Sequence, residues 1–498
     1  MTTGAAIAAV VLVTLATLGI GALAMRFSRT TSDFYVASRT VSPWLNASAI
    51  GGEYLSAASF LGIAGLVLVA GSDVLWFPIG WTTGYLLLLA LVAAPLRRSG
   101  AYTIPDFAQL RLQSATVRNA ASLLVVAVGW LYLMPQFQGA GLTIRAVTDG
   151  PRWLGVVLVA GIVTVVVASG GMRSITFVQA FQYWLKLTAL LVPLMFLVLA
   201  WRGDGAPTPI DAADWTLPSP DPGAAGTYTV YAVLIATCLG TMGLPHVVVR
   251  FYTNPDGRAA RRTTLIVLGL LGFFYLLPTA YGALGRVYAL DLVATGHADT
   301  VVLELPSRML GSGADALGAL LVAGAFAAFL STSSGLTMAI AGVVGQEISR
   351  RGWFGGRLTG VPALRLAAVL CVLPPLAMSL AADDLPVATS VTFAFALAAS
   401  TFCPLLVLGI WWRGLTTPGA VAGLVGGGLA GALAPLITIT VEPTGWLGVT
   451  LSQPAAWTVP LGFALMVGVS LLTPRRRPAD VARTIARLHT PETLVRTD

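Results

Sequence analysis

The sequence predicts an all-α integral membrane protein with about 13 transmembrane helices. Three observations carry this. Of 498 residues, 56% are hydrophobic and only 10% charged, against about 45–50% and about 25% in a soluble domain. Apolar runs of the length that crosses a bilayer, about 20 residues, recur along the whole chain. The arginines between those runs alternate between rich and poor connections, as they do when cytoplasmic loops collect positive charge.

So little charge cannot cover a water-facing surface of this size, and the chain is too long for one hydrophobic core. A soluble enzyme, a disordered chain and a secreted disulfide scaffold are excluded on composition. The net charge of +8 could suggest nucleic acid, but loop arginines in a membrane protein account for it, and no nucleic-acid partner is expected. The three cysteines (Cys238, Cys371, Cys403) are scattered through apolar runs, without the spacing of a disulfide framework or metal site. The three histidines (His246, His297, His489) lack metal-ligand spacing too, so no cofactor is expected.

The predicted spans run in order. Residues 4–25 form a long apolar run with no lysine or arginine before it, unlike a cleaved signal peptide. Residues 44–69 are apolar but carry a cluster of polar and small residues, and 74–95 and 119–140 follow as plainer runs. Boundaries are least distinct around 140–175, where 153–169 and 175–200 are read as separate spans. The remaining spans are 228–248, 263–286, 313–343, 363–381, 386–410, 418–438 and 455–473. Between them, 201–226 is rich in Pro, Gly and Asp and reads as a solvated loop. The tail 474–498 carries Arg475-Arg-Arg477 and a short helical pattern of Val481, Ile485 and Leu488. With the N-terminus outside, 23 arginines fall in inner connections and five in outer ones. The tail is then cytoplasmic, and the protein is placed in the cell membrane as a multi-pass chain.

Two spans are interrupted in matching places. The second holds Asn46-Ala-Ser-Ala-Ile-Gly-Gly-Glu-Tyr54-Leu-Ser56-Ala-Ala-Ser59, and the seventh holds Thr237-Cys-Leu-Gly240-Thr241-Met-Gly243-Leu-Pro245-His246. Each opens a block of five spans, 44–200 and 228–410. Paired discontinuous helices at equivalent points of two halves are the sequence pointer to a transporter site at the membrane midplane. Freed N–H groups hold an anion and freed carbonyls a cation. The bland reading, small residues that only let helices pack closely, suits any one glycine. Both clusters in register favour a site.

The ninth span carries Ala328-Phe-Leu-Ser331-Thr332-Ser333-Ser334-Gly335. Ala328, Ser331 and Thr332 share one helix face at i, i+3 and i+4. Hydroxyls with carbonyls make a neutral oxygen site suited to a hard monovalent cation, although such hydroxyls also bond back to the preceding turn. Two ionisable residues lie deep in spans, Glu53 and Lys186. A charge there costs about 2.5–3.5 kcal/mol on insertion scales. They pair with one another, or Lys186 carries a proton, since a buried lysine readily loses its charge. His246 reads as a polar residue near the inner end of its helix.

These residues resemble the sodium/solute symporter family, specifically its cation–acetate (monocarboxylate) branch. The likeness runs over Asp33-Phe-Tyr-Val-Ala-Ser-Arg39, Gly52-Glu-Tyr-Leu-Ser-Ala-Ala-Ser-Phe-Leu-Gly62 and Thr103-Ile-Pro-Asp-Phe107. It continues through Gly170-Gly-Met-Arg173 to Gln179, and Gly243-Leu-Pro-His-Val-Val-Val-Arg-Phe-Tyr252. The resemblance implies a five-plus-five inverted repeat of LeuT type, with one extra helix before it and two after. The organisation becomes 1–43, an extra helix and connector; 44–200, the first repeat; 201–227, an extracellular loop; 228–410, the second repeat; 411–473, two extra helices; and 474–498, the tail.

Carried over residue by residue, the resemblance implies a sodium site made by the carbonyls of Gly52, Leu55 and Ala328 and the hydroxyls of Ser331 and Thr332. A substrate carboxylate is expected by Gly51, Tyr54, Ser56, Ser59 and Thr241. The chain departs from relatives at Gln179, where many have Asp, and at Glu53, where the acetate branch usually has Asp. It departs again at Ala58 and Ser59, where sugar transporters place Glu and Gln. A pocket of Ala, Ser and Gly offers a hexose few hydrogen-bond partners.

The expected function is therefore sodium-driven uptake of acetate or a similar short monocarboxylate by alternating access, with no bond made or broken and sodium as coupling ion. The alternatives are a proton-coupled symporter using Lys186 or Glu53, a sodium symporter of another small solute, or a membrane sensor of the same fold. A membrane-embedded enzyme is disfavoured, because no nucleophile–base pair, metal cluster or phosphate loop is legible.

Overall fold

The computed structural model describes residues 2–25, 31–209, 223–352, 356, 358–381 and 387–492, and the regular structure among them is helical throughout. The helices used below are α1 Thr3–Met25, α2 Pro43–Tyr54, α3 Ile63–Ala70, α4 Trp76–Leu87, α5 Ala93–Ser99 and α6 Ala115–Thr148. They continue with α7 Arg152–Gly203, α8 Ala224–Gly243, α9 Pro245–Phe251, α10 Gly257–Tyr288 and α11 Asp315–Arg351. The last are α12 Val361–Ala381, α13 Val387–Trp411, α14 Thr417–Val441, α15 Ala455–Leu472 and α16 Val481–His489. Residues 210–222 of the predicted loop, and Arg26, Arg29, Arg357 and Arg496, lie outside the described residues.

Helical structure follows from the solvent. In lipid a main chain must satisfy its own N–H and C=O groups, and an all-helical chain does so within each segment. Helix starts are marked by side-chain caps: Thr103 accepts from the N–H of Asp106 at 3.3 Å, Asp256 from Ala259 at 2.7 Å and Thr416 from Gly419 at 3.2 Å. Exposed apolar side chains such as Leu12, Leu123, Leu265, Leu276 and Leu472 lie on spans, where their solvent is lipid.

Eleven helical runs among the described residues are long and apolar enough to cross a membrane, two fewer than the thirteen spans expected. The difference falls at two glycines. The predicted spans 153–169 and 175–200 both lie on α7, whose path breaks at Gly171 (φ 62°, ψ −170°). The run Ala58–Ser99 holds the second half of one predicted span and the whole of the next, with Gly71 (φ 67°) between them. A single residue in that conformation, open to glycine at no steric penalty, redirects the chain while helix continues on both sides.

α11 packs along α7, α2 crosses α7, and α8 lies between α4 and α13. The stretch of α11 from Ala325 to Leu336 is buried, with exposures of 0–2%. The site elements thus lie at the centre of the bundle, screened by the other helices. In the tail, α16 forms over the predicted pattern, with Ile485 and Leu488 buried and Arg98 donating to the carbonyls of Leu488 and His489.

Motif residues distant in sequence also meet. Asp33 accepts from Arg173 Nη1 at 2.9 Å and from Ser38 Oγ at 2.6 Å. Arg118 joins Asp106 at 2.6 Å and Glu347 at 3.1 Å, tying α6 to α11.

Candidate binding site at the paired helix breaks

Both predicted interruptions are real breaks. α2 ends at Tyr54; Leu55 leaves the helical region (φ −75°, ψ 86°), and the chain resumes as a wide turn over Ala58–Gly62 before α3. α8 ends at Gly243, Leu244 is extended (φ −66°, ψ 121°), and Pro245 starts α9. Proline suits a helix start, since its missing N–H would be unpaired there. Where α2 stops, the side chain of Gln136 on α6 accepts from the main-chain N–H of Ala57 at 3.0 Å, replacing a lost helical bond.

Close main-chain approach assembles the site. A Cβ on Gly52 would strike the carbonyl of Gln179 on α7, and one on Gly335 of α11 would strike the carboxylate of Glu53. Only glycine permits α2 to lie this near both neighbours.

A buried polar cluster fills the junction. Glu53 and Arg250, 2% and 1% exposed, form an ion pair of 2.6 Å between Oε2 and Nε. Arg250 also donates to Thr176 Oγ1 at 2.9 Å and to Gln179 Oε1. Gln179 Nε2 in turn donates to the carbonyl of Ser331 at 2.8 Å. Thr332 Oγ1 donates to the carbonyl of Glu53 at 2.6 Å, and Ser331 Oγ to that of Ala328 at 3.1 Å. Lys186, fully buried, donates from Nζ to the carbonyls of Gly52 at 2.5 Å and Leu55 at 2.7 Å, and to Ser331 Oγ at 3.1 Å.

The five residues expected around a sodium ion therefore lie on α2, on the opened turn at its end and on the facing helix α11, and three of them converge on one ammonium group. The expectation that Glu53 and Lys186 pair with one another is corrected. The carboxylate is held by Arg250, and the ammonium by main-chain and hydroxyl oxygens, because the opened turn at Leu55 exposes carbonyls that Lys186 reaches directly.

The residues expected near a substrate carboxylate divide. Tyr54 and Thr241 bond to each other at 2.6 Å. Because Thr241 donates to the carbonyl of Thr237 at 2.7 Å, Tyr54 is the donor of that pair. Ser59 meets Tyr275 OH at 3.0 Å. A Cβ on Gly51 would lie 2.7 Å from the Tyr183 ring, which makes Gly51 a packing position. Ser56 Oγ is buried and bonds to nothing among the described residues.

Beside Ser56 stands a group of rings that the sequence reading did not single out. Tyr54 meets Tyr85 edge-on at 4.9 Å, Trp81 stacks on Tyr275 at 5.7 Å, and Phe395 touches Tyr54, Trp81 and Tyr132. Tyr132 meets His246 edge-on at 5.2 Å. His246 is fully buried in the first turn of α9, just past the second break, and both its ring nitrogens lack a partner among the described residues. So do Tyr85 OH and Trp81 Nε1. Unpaired buried polar atoms are uncommon, and here four side chains carry them around one ring cluster. The available signal was Trp81 and Tyr85 at i, i+4 in one span. Aromatic residues at helical spacing ordinarily mean core.

An all-helical membrane chain with two broken helices meeting at a charged, hydroxyl-rich and aromatic centre is a secondary transporter of the inverted-repeat type. The profile of the Sodium:solute symporter family matches residues 34–427, and the chain belongs to that family. It is 31% identical over 469 residues to the uncharacterized symporter YwcA of Bacillus subtilis, covering 90% of each chain. It is also 31% identical over 479 residues to a monocarboxylic acid transporter of Corynebacterium glutamicum, covering 88% of this chain and 86% of the relative. In fold it is similar to a Na+-coupled sialic acid symporter in its substrate-bound outward-open state, with TM-score 0.69 at 14% identity, covering 93% of this chain and 98% of the other. The nucleobase-cation-symport-1 transporter Mhp1, in a closed conformation, gives 0.53 at 14% identity, covering 91% and 98%.

Proposed function

We propose that the protein imports acetate or a similar short-chain monocarboxylate across the cell membrane by cation-coupled symport, with its N-terminus outside and its C-terminus cytoplasmic. The observation that carries the substrate class is the set of buried polar atoms on Ser56, Trp81, Tyr85 and His246 that lack a partner among the described residues, set among rings at the break of α2. Hydroxyl and ring N–H donors hold a carboxylate, and the rings cover a short alkyl chain. A sugar would leave most of its hydroxyls facing rings, without partners. The relative described as a monocarboxylic acid transporter supports the same class.

The family's coupling ion is sodium, and the residues offered for it are Gly52, Leu55, Ala328, Ser331 and Thr332. A second reading, proton coupling through Lys186 and Glu53, is favoured by the Lys186 ammonium standing on three of those five. Purified protein in liposomes, given a panel of labelled small acids under independently set sodium and proton gradients, tests both. Accumulation of acetate, competed by propionate, lactate or pyruvate but not by a hexose, is expected. Failure to accumulate or exchange any short monocarboxylate overturns the reading.

A further inference from the structure

We propose that Lys186 is a tethered cation that takes the place of sodium in this cage, so that the native protein works without binding sodium there, and that removing the lysine side chain turns the cage into a sodium site. This rests on reading Gly52, Leu55 and Ser331 as the cation cage of the symporter above.

An ammonium group has three N–H donors and no acceptor. Lys186 Nζ finds three acceptors, the carbonyls of Gly52 and Leu55 and the hydroxyl oxygen of Ser331, all within 3.1 Å. The hydroxyl proton of Ser331 is already directed to the carbonyl of Ala328, which leaves its lone pair toward the lysine. Donors and acceptors match one for one. Three of the five oxygens expected to coordinate a metal ion, hard ligands suited to a hard cation, are those the ammonium uses.

The charge balance points the same way. The cluster holds two basic side chains, Lys186 and Arg250, and one carboxylate, Glu53, which Arg250 takes at 2.6 Å. The other groups at the cage are uncharged. Gln179, which bridges Arg250 and the carbonyl of Ser331, supplies an amide where a carboxylate would have added negative charge. A sodium ion would add a further positive charge to a buried group of ligands with no anion left to balance it.

Lys186 is the only lysine in the chain; every other basic side chain is arginine. A planar, forked guanidinium does not fit a compact three-oxygen cage, whereas an ammonium is a point charge on a flexible stem. A chain that uses arginine everywhere else has lysine at the one position where a compact cationic head is needed.

The experiment uses the full-length protein, wild type and Lys186→Ala, with Lys186→Ser as the second variant where the first is not monodisperse. Two readouts are taken: direct binding of radioactive sodium to detergent-purified protein, and acetate exchange in liposomes with sodium or choline as the bulk cation. Wild type is expected to show no saturable sodium binding and the same exchange in either cation. The variant is expected to bind sodium saturably and to exchange acetate about tenfold faster with sodium, a tenfold population change corresponding to about 1.4 kcal/mol. Adding Ser331→Ala to the variant removes the sodium binding. Saturable sodium binding by wild type that Ser331→Ala abolishes overturns the proposal, as does a folded Lys186 variant that binds none. Sodium binding does not depend on the transported acid. Absence of acetate exchange together with the expected sodium results therefore sinks the monocarboxylate reading and leaves the tethered cation standing.

Discussion

Arg250 Nε lies 2.6 Å from Glu53 Oε2, and the two residues sit on the broken helices α9 and α2, 197 positions apart. The ion pair joins the two discontinuities of the fold. It is also fully removed from solvent, and this sets how the protein responds to losing either partner.

Breaking a buried pair leaves one uncompensated charge, which costs about 3–5 kcal/mol, whereas replacing both partners by neutral groups is far milder. Arg250→Met and Glu53→Gln are each expected to lower the thermal unfolding temperature in detergent strongly. The double variant recovers a substantial part of that loss. Equal and additive losses across the cycle would show that the two side chains act separately.

The steric contact of Gly335 with Glu53 gives a second prediction. Gly335→Ala places a methyl group on the Glu53 carboxylate, and overpacking of this kind typically costs about 1–3 kcal/mol. A lower yield of monodisperse protein and a lower unfolding temperature are expected. Gly161, with open space around its Cα, is the control position, where alanine leaves both unchanged.

Ser56 Oγ, Tyr85 OH and the nitrogens of His246 have no hydrogen-bond partner among the described residues. Ser56→Ala and Tyr85→Phe therefore remove no internal hydrogen bond and are expected to leave thermal stability close to wild type. If these atoms bind the carboxylate, each variant weakens substrate binding by about 1 kcal/mol or more, read as a several-fold rise in the acetate concentration for half-maximal exchange. Unchanged affinity in both variants would remove these residues from the substrate site.

Replacing Ser331 and Thr332 together by alanine removes one acceptor from the Lys186 ammonium and the donor to the carbonyl of Glu53. Uptake driven by an ion gradient is expected to be lost, while the protein remains monodisperse in detergent. Wild-type gradient-driven uptake in this double variant would detach these hydroxyls from coupling.

Much of the architecture was legible because lipid is a severe solvent. Apolar runs had to become helices, and the polar, glycine-rich stretches around Gly52 and Gly243, in matching places, pointed to breaks held by protein. Ser331 and Thr332 could be placed on one face of α11 from spacing alone. The helix count was less legible, because Gly71 and Gly171 redirect the chain without ending the helical run, and hydropathy does not distinguish a turn between spans from a break within one. Trp81, Tyr85 and Tyr132 carry no such signal, because an aromatic ring on an apolar helix has the same pattern whether it packs a core or lines a site.

The sequence by itself determined that this chain crosses a membrane as helices and that two of them are interrupted; solvation and backbone hydrogen bonding suffice for that. The tertiary structure decided which charge meets which oxygen. Glu53 went to Arg250 rather than to Lys186, and Lys186 went to the carbonyls of Gly52 and Leu55. Those pairings depend on how α2, α7, α9 and α11 cross, and a few ångströms of helix placement, which no local pattern encodes, select the partner of a buried charge.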